Sequence, residues 1–177
     1  MDIEKQKFPI GSFVKPEIIN AEQLSIWIES IASFPDRLKA EVQDLSNEQL
    51  DTPYRENGWT IRQVVHHCAD SHLNSFARFK LALTEDKPFI KPYFEDRWAE
   101  MVDSKNFPIA SSIKILEGIH LRWTAILKNL SATDLTRTFV HPEHGKSFSL
   151  DENIGVYAWH CDHHLAHITT LKIREGW

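Results

Sequence analysis

Trp159-His160-Cys161-Asp162-His163-His164-Leu165-Ala166-His167 is the stretch on which the reading of this chain turns. At 100° per residue on a helix, His160, His164 and His167 fall within about 60° of one another. Imidazoles four residues apart have neighbouring Cβ atoms about 5–6 Å apart, so two rings can meet one ion at the roughly 2.0–2.1 Å of a zinc–nitrogen bond. Burying several imidazoles together carries a desolvation cost that apolar packing does not return, whereas a shared cation or a polar cavity removes it. The stretch therefore predicts a helix with a metal site on one face, and a second element facing it.

Working outward, Ser149-x-x-Glu152 reads as a capping box that opens this helix, which runs to about Arg174. The other histidine cluster, His66, His67 and His72, lies in a segment opened by the capping box Thr60-x-x-Gln63 and running to about Thr84. Two further segments have helical periodicity. From Asn20, an N-cap, Leu24, Trp27, Ile28, Ile31, Leu38 and Val42 share a face, with Pro35 predicting a kink. From about Ala110 to Leu130, Ile113, Leu116, Ile119, Trp123, Leu127 and Leu130 face inward, with His120 in the same stripe.

The connections are as informative as the helices. Residues 85–109 hold Pro88, Pro92 and Pro108 among the aromatics Phe89, Tyr93, Phe94 and Trp98, which predicts a long crossover with one short helix around Glu95 to Val102, suited to covering an opening. Residues 131–148, with Thr138-Phe139-Val140 and His141-Pro142-Glu143-His144-Gly145, suit a loop or short hairpin. The first 18 residues carry no periodicity and read as an extended surface arm placed to reach a partner subunit. Four amphipathic helices without alternating strands predict an all-α bundle forming one domain over residues 1–177, and bundles commonly hold metals between facing helices.

Composition narrows the function. A net charge of −5 lacks the basic face that a phosphate backbone requires, so nucleic acid is not an expected partner. The chain has no apolar run long enough to span a membrane and no signal-like opening, and Cys68 and Cys161 are not spaced as CxxC, so a cytoplasmic, soluble protein is expected.

On the second helix the apolar face is centred on Ile61, Val65, Cys68, His72, Phe76 and Phe79, while His67 heads a bordering polar stripe of His67, Ser71, Asn74 and Arg78. His66 points further round, toward solvent. His67 is the better candidate for a third ligand, while His72, nearer the centre of the core face, reads as a packed or hydrogen-bonded imidazole rather than a ligand. His160, His164 and His67 would join two helices; His160, His164 and His167 would extend over roughly 10 Å of helix axis and are harder to bring to one ion. His167 and His120 are then left to orient a ligand or contact substrate.

The segments Trp59 to His67 with Ala69-Asp70-Ser71-His72, Leu121-Arg122-Trp123, and Tyr157-Ala158-Trp159-His160 through His164 to His167-Ile168 closely resemble the YfiT-type metal-dependent hydrolases of the DinB-like superfamily. The likeness extends to Pro9-Ile10-Gly11 and Asp51-Thr52-Pro53-Tyr54-Arg55. It implies a DinB-like up-down four-helix bundle with the long crossover between helices two and three, a homodimer, and one divalent metal per subunit, zinc or nickel. The three ligands it implies are His67, His160 and His164. Cys161 has no fixed role in the resemblance, and its position about 100° round from His160 suits packing.

Three neutral imidazoles leave a divalent ion with open positions, as in catalytic rather than structural sites, and a coordinated water then ionises near pH 7. The motif is not HExxH, because Cys161 follows His160 and the glutamate base of metalloproteases is missing. No Gly-rich phosphate loop or GxSxG elbow is present. The expected function is a metal-dependent hydrolase acting on a small molecule. The alternatives are a thiol S-transferase, since DinB-like relatives include enzymes that add low-molecular-weight thiols such as bacillithiol to electrophiles, and a non-enzymatic metal-binding protein.

Overall fold

The computed structural model describes residues 3–143 and 145–177; His144, in the predicted 131–148 loop, lies outside them. The elements in order are α1 (Ile3–Lys7), α2 (Ala21–Val42), α3 (Asn47–Leu50), α4 (Ile61–Thr84), α5 (Glu95–Ala99), α6 (Val102–Asn106), α7 (Ala110–Leu127), α8 (Ala132–Leu135), β1 (Thr138–His141), β2 (Lys146–Ser149) and α9 (Leu150–Glu175). The four long helices α2, α4, α7 and α9 form the bundle, and β1 and β2 are an antiparallel hairpin with Phe139 opposite Phe148.

Local chemistry explains most helix ends. The Asn20 side chain accepts from the Gln23 backbone N–H, and Thr60 and Gln63 form the reciprocal capping box at α4. The α9 start differs from expectation. Ser149 makes no side-chain cap bond; Asp151 accepts the Glu152 N–H instead, and the Glu152 carboxylate is taken by Lys15 at 2.6 Å. At its other end α9 stops at Gly176, whose φ of 74° is the left-handed conformation that glycine adopts without Cβ strain, with its N–H donating to the Lys172 carbonyl.

In the core, Ile31, Phe34, Leu38 and Val42 of α2 meet Leu116 and Trp123 of α7 and Ile154, Ile168 and Leu171 of α9, all at most 1% exposed. Each such side chain contributes about 1.5–3 kcal/mol on burial.

Helix α2 packs against α9 and α7, and α4 against the same two, so α2 and α4 face each other across one diagonal and α7 and α9 across the other. The Lys39–Glu117 pair and the contact of His120 with the Ile31 carbonyl make α2 and α7 antiparallel. Ser30 with Asp162 and Glu41 with Lys172 make α2 and α9 parallel. His66 with Ser112 and His72 with His120 make α4 and α7 parallel. The alternation of direction thus holds across the first and last long connections and gives way to a parallel step, up-down-down-up, at the crossover. Two successive parallel helices require the chain to return over roughly 36 Å, the length of a 24-residue helix, and residues 85–109 do so.

That crossover carries two one-turn helices, α5 and α6, in place of the single one expected, separated at Glu100 and Met101. It is tied to α4 by side chains from the first turns of that helix. Arg62 pairs with Asp51 at 2.6 Å and donates to the Phe107 carbonyl, and the Gln63 amide donates to the Ala99 carbonyl. His66 belongs to the same set: its Nε2 contacts the Phe107 carbonyl at 3.1 Å and its Nδ1 the Ser112 hydroxyl at 2.7 Å. The solvent-facing position read for His66 is therefore wrong, because the crossover folds over that face. Further along, Ile90 donates to the Val140 carbonyl and Val140 to that of Pro88, which pins the crossover to β1 and sets Tyr93 beyond it.

The N-terminal arm begins with the short helix α1 and then lies along its own α9. The Lys7 carbonyl accepts from His167 and the Gly11 carbonyl from Trp159. Phe13 and Trp27 close on Gly155, where a Cβ would meet the Trp27 ring at 2.7 Å. Among the described residues no helix is long and apolar enough to cross a membrane.

Candidate metal centre

The antiparallel pair α4 and α9 brings His67 opposite His160 and His164. The three rings form a compact set, with centroids 5.3 Å apart for His67 and His160, 4.7 Å for His67 and His164, and 4.4 Å for His160 and His164. One nitrogen of each lies within 4.8 Å of the others. Ligands at about 2.0–2.1 Å from a tetrahedral ion stand about 3.3–3.4 Å apart, and His67 Nε2 lies 3.3 Å from His160 Nε2. Burial holds all three imidazoles uncharged: it pushes His67 down to about 3 and His160 and His164 well below the usual histidine range. Each therefore offers a lone pair at neutral pH. The donor set fits a divalent ion with open positions.

The nitrogens sit at the floor of a cavity of about 570 Å³. Its walls carry Ser71 and Arg78 from the polar stripe on α4, Tyr157 and Trp159 from α9, Trp59 before α4, and Tyr93 from the crossover. Asn74, the remaining member of the predicted stripe, instead donates to the Asp70 carbonyl of its own helix. Three hydroxyls gather beside the histidines. Ser71 Oγ lies 3.4 Å from His160 Nε2 and 3.2 Å from the Tyr157 hydroxyl, and Tyr93 lines the same cavity. Burial raises the Tyr93 phenol above its ordinary range, so it keeps its proton and can donate. Tyr93 was not among the residues read as a candidate site; the aromatic crossover signalled a cover, but not which of its rings turns inward.

The remaining histidines divide by side. His72 lies behind His160, away from the cavity, and His120 behind His72. His163, His164 and His167 also bring nitrogens within 4.8 Å of one another, but on the side of the N-terminal arm. His163 stacks on Trp159 at 4.4 Å, and His167 stacks on Tyr54 at 4.0 Å while donating from Nε2 to the Lys7 carbonyl at 3.0 Å. His167 thus fastens the arm. Cys161 is fully buried in the core beside Cys68, and burial pushes its thiol well up, so it packs as a small apolar side chain.

The sequence profile described as the DinB superfamily matches residues 31–168, which take in the second half of α2, all of α4 and α7, and α9 as far as Ile168, with the three facing histidines. The chain belongs to the DinB superfamily. Its relatives within that superfamily include a protein of Oceanobacillus iheyensis, 53% identical over 97% of this chain and 99% of its own length, which bears the name "Putative metal-dependent hydrolase". A Bacillus cereus protein of the same name is 51% identical over 97% of this chain and 98% of its own. Among solved structures, YfiT from Bacillus subtilis superposes with a TM-score of 0.95 at 46% identity, covering 98% of this chain and 99% of that one; it is described as "a probable metal-dependent hydrolase with an unusual four-helix bundle topology". This DinB-superfamily chain is therefore a YfiT-type protein, and its up-down-down-up helix order is the specific form its bundle takes.

Proposed function

We propose that the chain is a metal-dependent hydrolase acting on a small molecule, with His67, His160 and His164 holding one divalent ion per subunit, zinc in the first instance and nickel as the alternative. The observation that carries this reading is the convergence of three uncharged imidazole nitrogens, from two facing helices, on the floor of an open cavity lined by hydroxyls. The names of the relatives support it. When bound, the ion supplies Lewis acidity, which brings the ionisation of water near neutral pH. The protein's own groups supply the rest. His67 from α4 and the pair on α9 fix the ion between two rigid helices, and Trp59 and Trp159 wall the cavity. The Tyr93 and Ser71 hydroxyls line the cavity where they can donate to negative charge that develops on a substrate oxygen, while the Tyr157 hydroxyl donates to the Ser71 carbonyl at 3.2 Å. Arg78 adds a fixed positive charge to the wall.

The test incubates zinc-loaded protein with activated esters and amides without thiol. Alongside, a dinitrobenzene halide is offered with and without a panel of cellular thiols. Ester or amide cleavage that needs the metal, ignores thiol and is lost in His160→Ala supports the hydrolase. Conjugation that appears only with thiol assigns the chain instead as a bacillithiol-type S-transferase, and inactivity in both arms assigns it as a metal-binding protein.

The same reading includes a homodimer in the cytoplasm. The unpaired, buried Cys68 and Cys161 support a reducing compartment. Phe89, Phe94, Met101, Val102 and Phe107, all more than half exposed along the crossover, support a partner on that face. Light scattering at micromolar concentration is expected to give twice the 20.6 kDa of the chain; a mass of 20.6 kDa rejects the dimer.

A further inference from the structure

Behind His160 runs a line of hydrogen-bonded imidazoles whose polarity is set from its far end. Pro35 sits inside α2 and has no N–H to give to the carbonyl four residues back, which is that of Ile31. The Ile31 oxygen is contacted instead by His120 Nδ1 at 2.6 Å. A carbonyl can only accept, so His120 Nδ1 carries the hydrogen and His120 Nε2 is left with a lone pair. That lone pair faces His72 Nδ1 at 2.7 Å, so His72 donates from Nδ1 and accepts at Nε2. His72 Nε2 in turn faces His160 Nδ1 at 3.0 Å, so His160 donates from Nδ1. One lone pair remains, on His160 Nε2, and it is the atom that faces His67. His72 and His120 are at most 1% exposed, so water does not compete for these bonds.

We infer that His72 and His120 are positioning residues that hold His160 as its Nδ1–H tautomer, keeping its Nε2 lone pair directed at the metal position before an ion arrives. The inference rests on His160 being a ligand. It also sets the two α9 ligands apart, because His164 Nδ1 is buried and finds no hydrogen-bond partner among the described residues. A hydrogen-bonded partner behind a ligating imidazole raises its basicity and fixes its ring, and loss of such partners typically lowers metal affinity 10–100-fold.

The experiment uses full-length protein labelled with ¹⁵N at histidine. Long-range ¹⁵N–¹H correlation spectra of the metal-free protein read each tautomer, and calorimetry with zinc reads affinity. Wild type is expected to show His72, His120 and His160 all protonated at Nδ1. His120→Leu fills the space but leaves His72 Nδ1 without an acceptor, so His160 should populate both tautomers and zinc should bind about 10–100-fold more weakly. His120→Gln keeps one donor and one acceptor and should recover most of the affinity, a rescue that a purely structural role does not predict. A proton on Nε2 of His160 in metal-free wild type overturns the relay, as does unchanged zinc affinity in folded His120→Leu. Full zinc retention by His160→Ala instead overturns the ligand assignment beneath the proposal, whereas the tautomer order in the metal-free protein tests the relay itself.

Discussion

Alanine at His67, His160 or His164 is expected to yield a folded, helical protein that purifies without its metal and lacks metal-dependent activity. Zinc held by four protein ligands is bound by about 10–16 kcal/mol, so one imidazole accounts for on the order of 3 kcal/mol, more than a hundredfold in affinity. The fold should survive, because the core is built from Ile31, Phe34, Leu38, Trp123, Ile154 and their neighbours, none of which depends on the ion. For the same reason, chelated wild type should keep its helical circular dichroism and melt several degrees lower, since a ligand at a hundredfold excess over its Kd adds about 2.7 kcal/mol. Elemental analysis decides the ligand set. His67→Ala is the most telling of the three variants, because it removes the only ligand not on α9; full metal retention there would return the assignment to a cluster on α9 alone.

The second large effect is acid lability of the metal-free protein. Burial lowers His67 to about 3 and His120, His163 and His167 to about 4, each well under the 6.5 of the unfolded chain. Between those values the unfolded state binds more protons than the folded one, so stability falls as pH falls through 6.5 and the loss continues down to the folded pKa. One unit below 6.5, each of these four histidines withdraws on the order of 1 kcal/mol, together several kcal/mol. A domain stable by 5–15 kcal/mol is then near its limit. Urea unfolding of chelated protein should show a far lower midpoint at pH 5.5 than at pH 7.5. Equal midpoints would mean that these imidazoles are protonated in the folded state or exposed to water.

Much of this was legible in the sequence for identifiable reasons. Helix ends followed from caps that act within four residues, and Asn20 and Thr60 behave as read. The two helical periodicities, with the family resemblance, brought His67 to face His160 and His164, and the structure places the three together. What failed depended on which element covers which. The angle of His66 on α4 points it toward solvent but says nothing about the crossover that lies over it. Ser149 lost its cap role because Asp151 supplied a closer acceptor and Lys15, from the distant arm, claimed Glu152. Helix direction was equally out of reach, since periodicity identifies a face but not a sense. Pro35 predicts a kink, and its consequence for the Ile31 carbonyl appears only when α7 is set beside α2.

The up-down-down-up order bears on how the chain folds. Its most extensive helix pairing, α2 with α9, joins the first long helix to the last, so the bundle closes through contacts separated by more than a hundred residues rather than through successive hairpins. Contacts of that sequence separation slow folding relative to simple bundles, because loop closure precedes the packing that rewards it. During synthesis α2 emerges long before its main partner α9, and His67 before His160 and His164. The facing trio therefore assembles only once α9 has been made, and before that His67 lacks both of the histidines it faces in the finished fold.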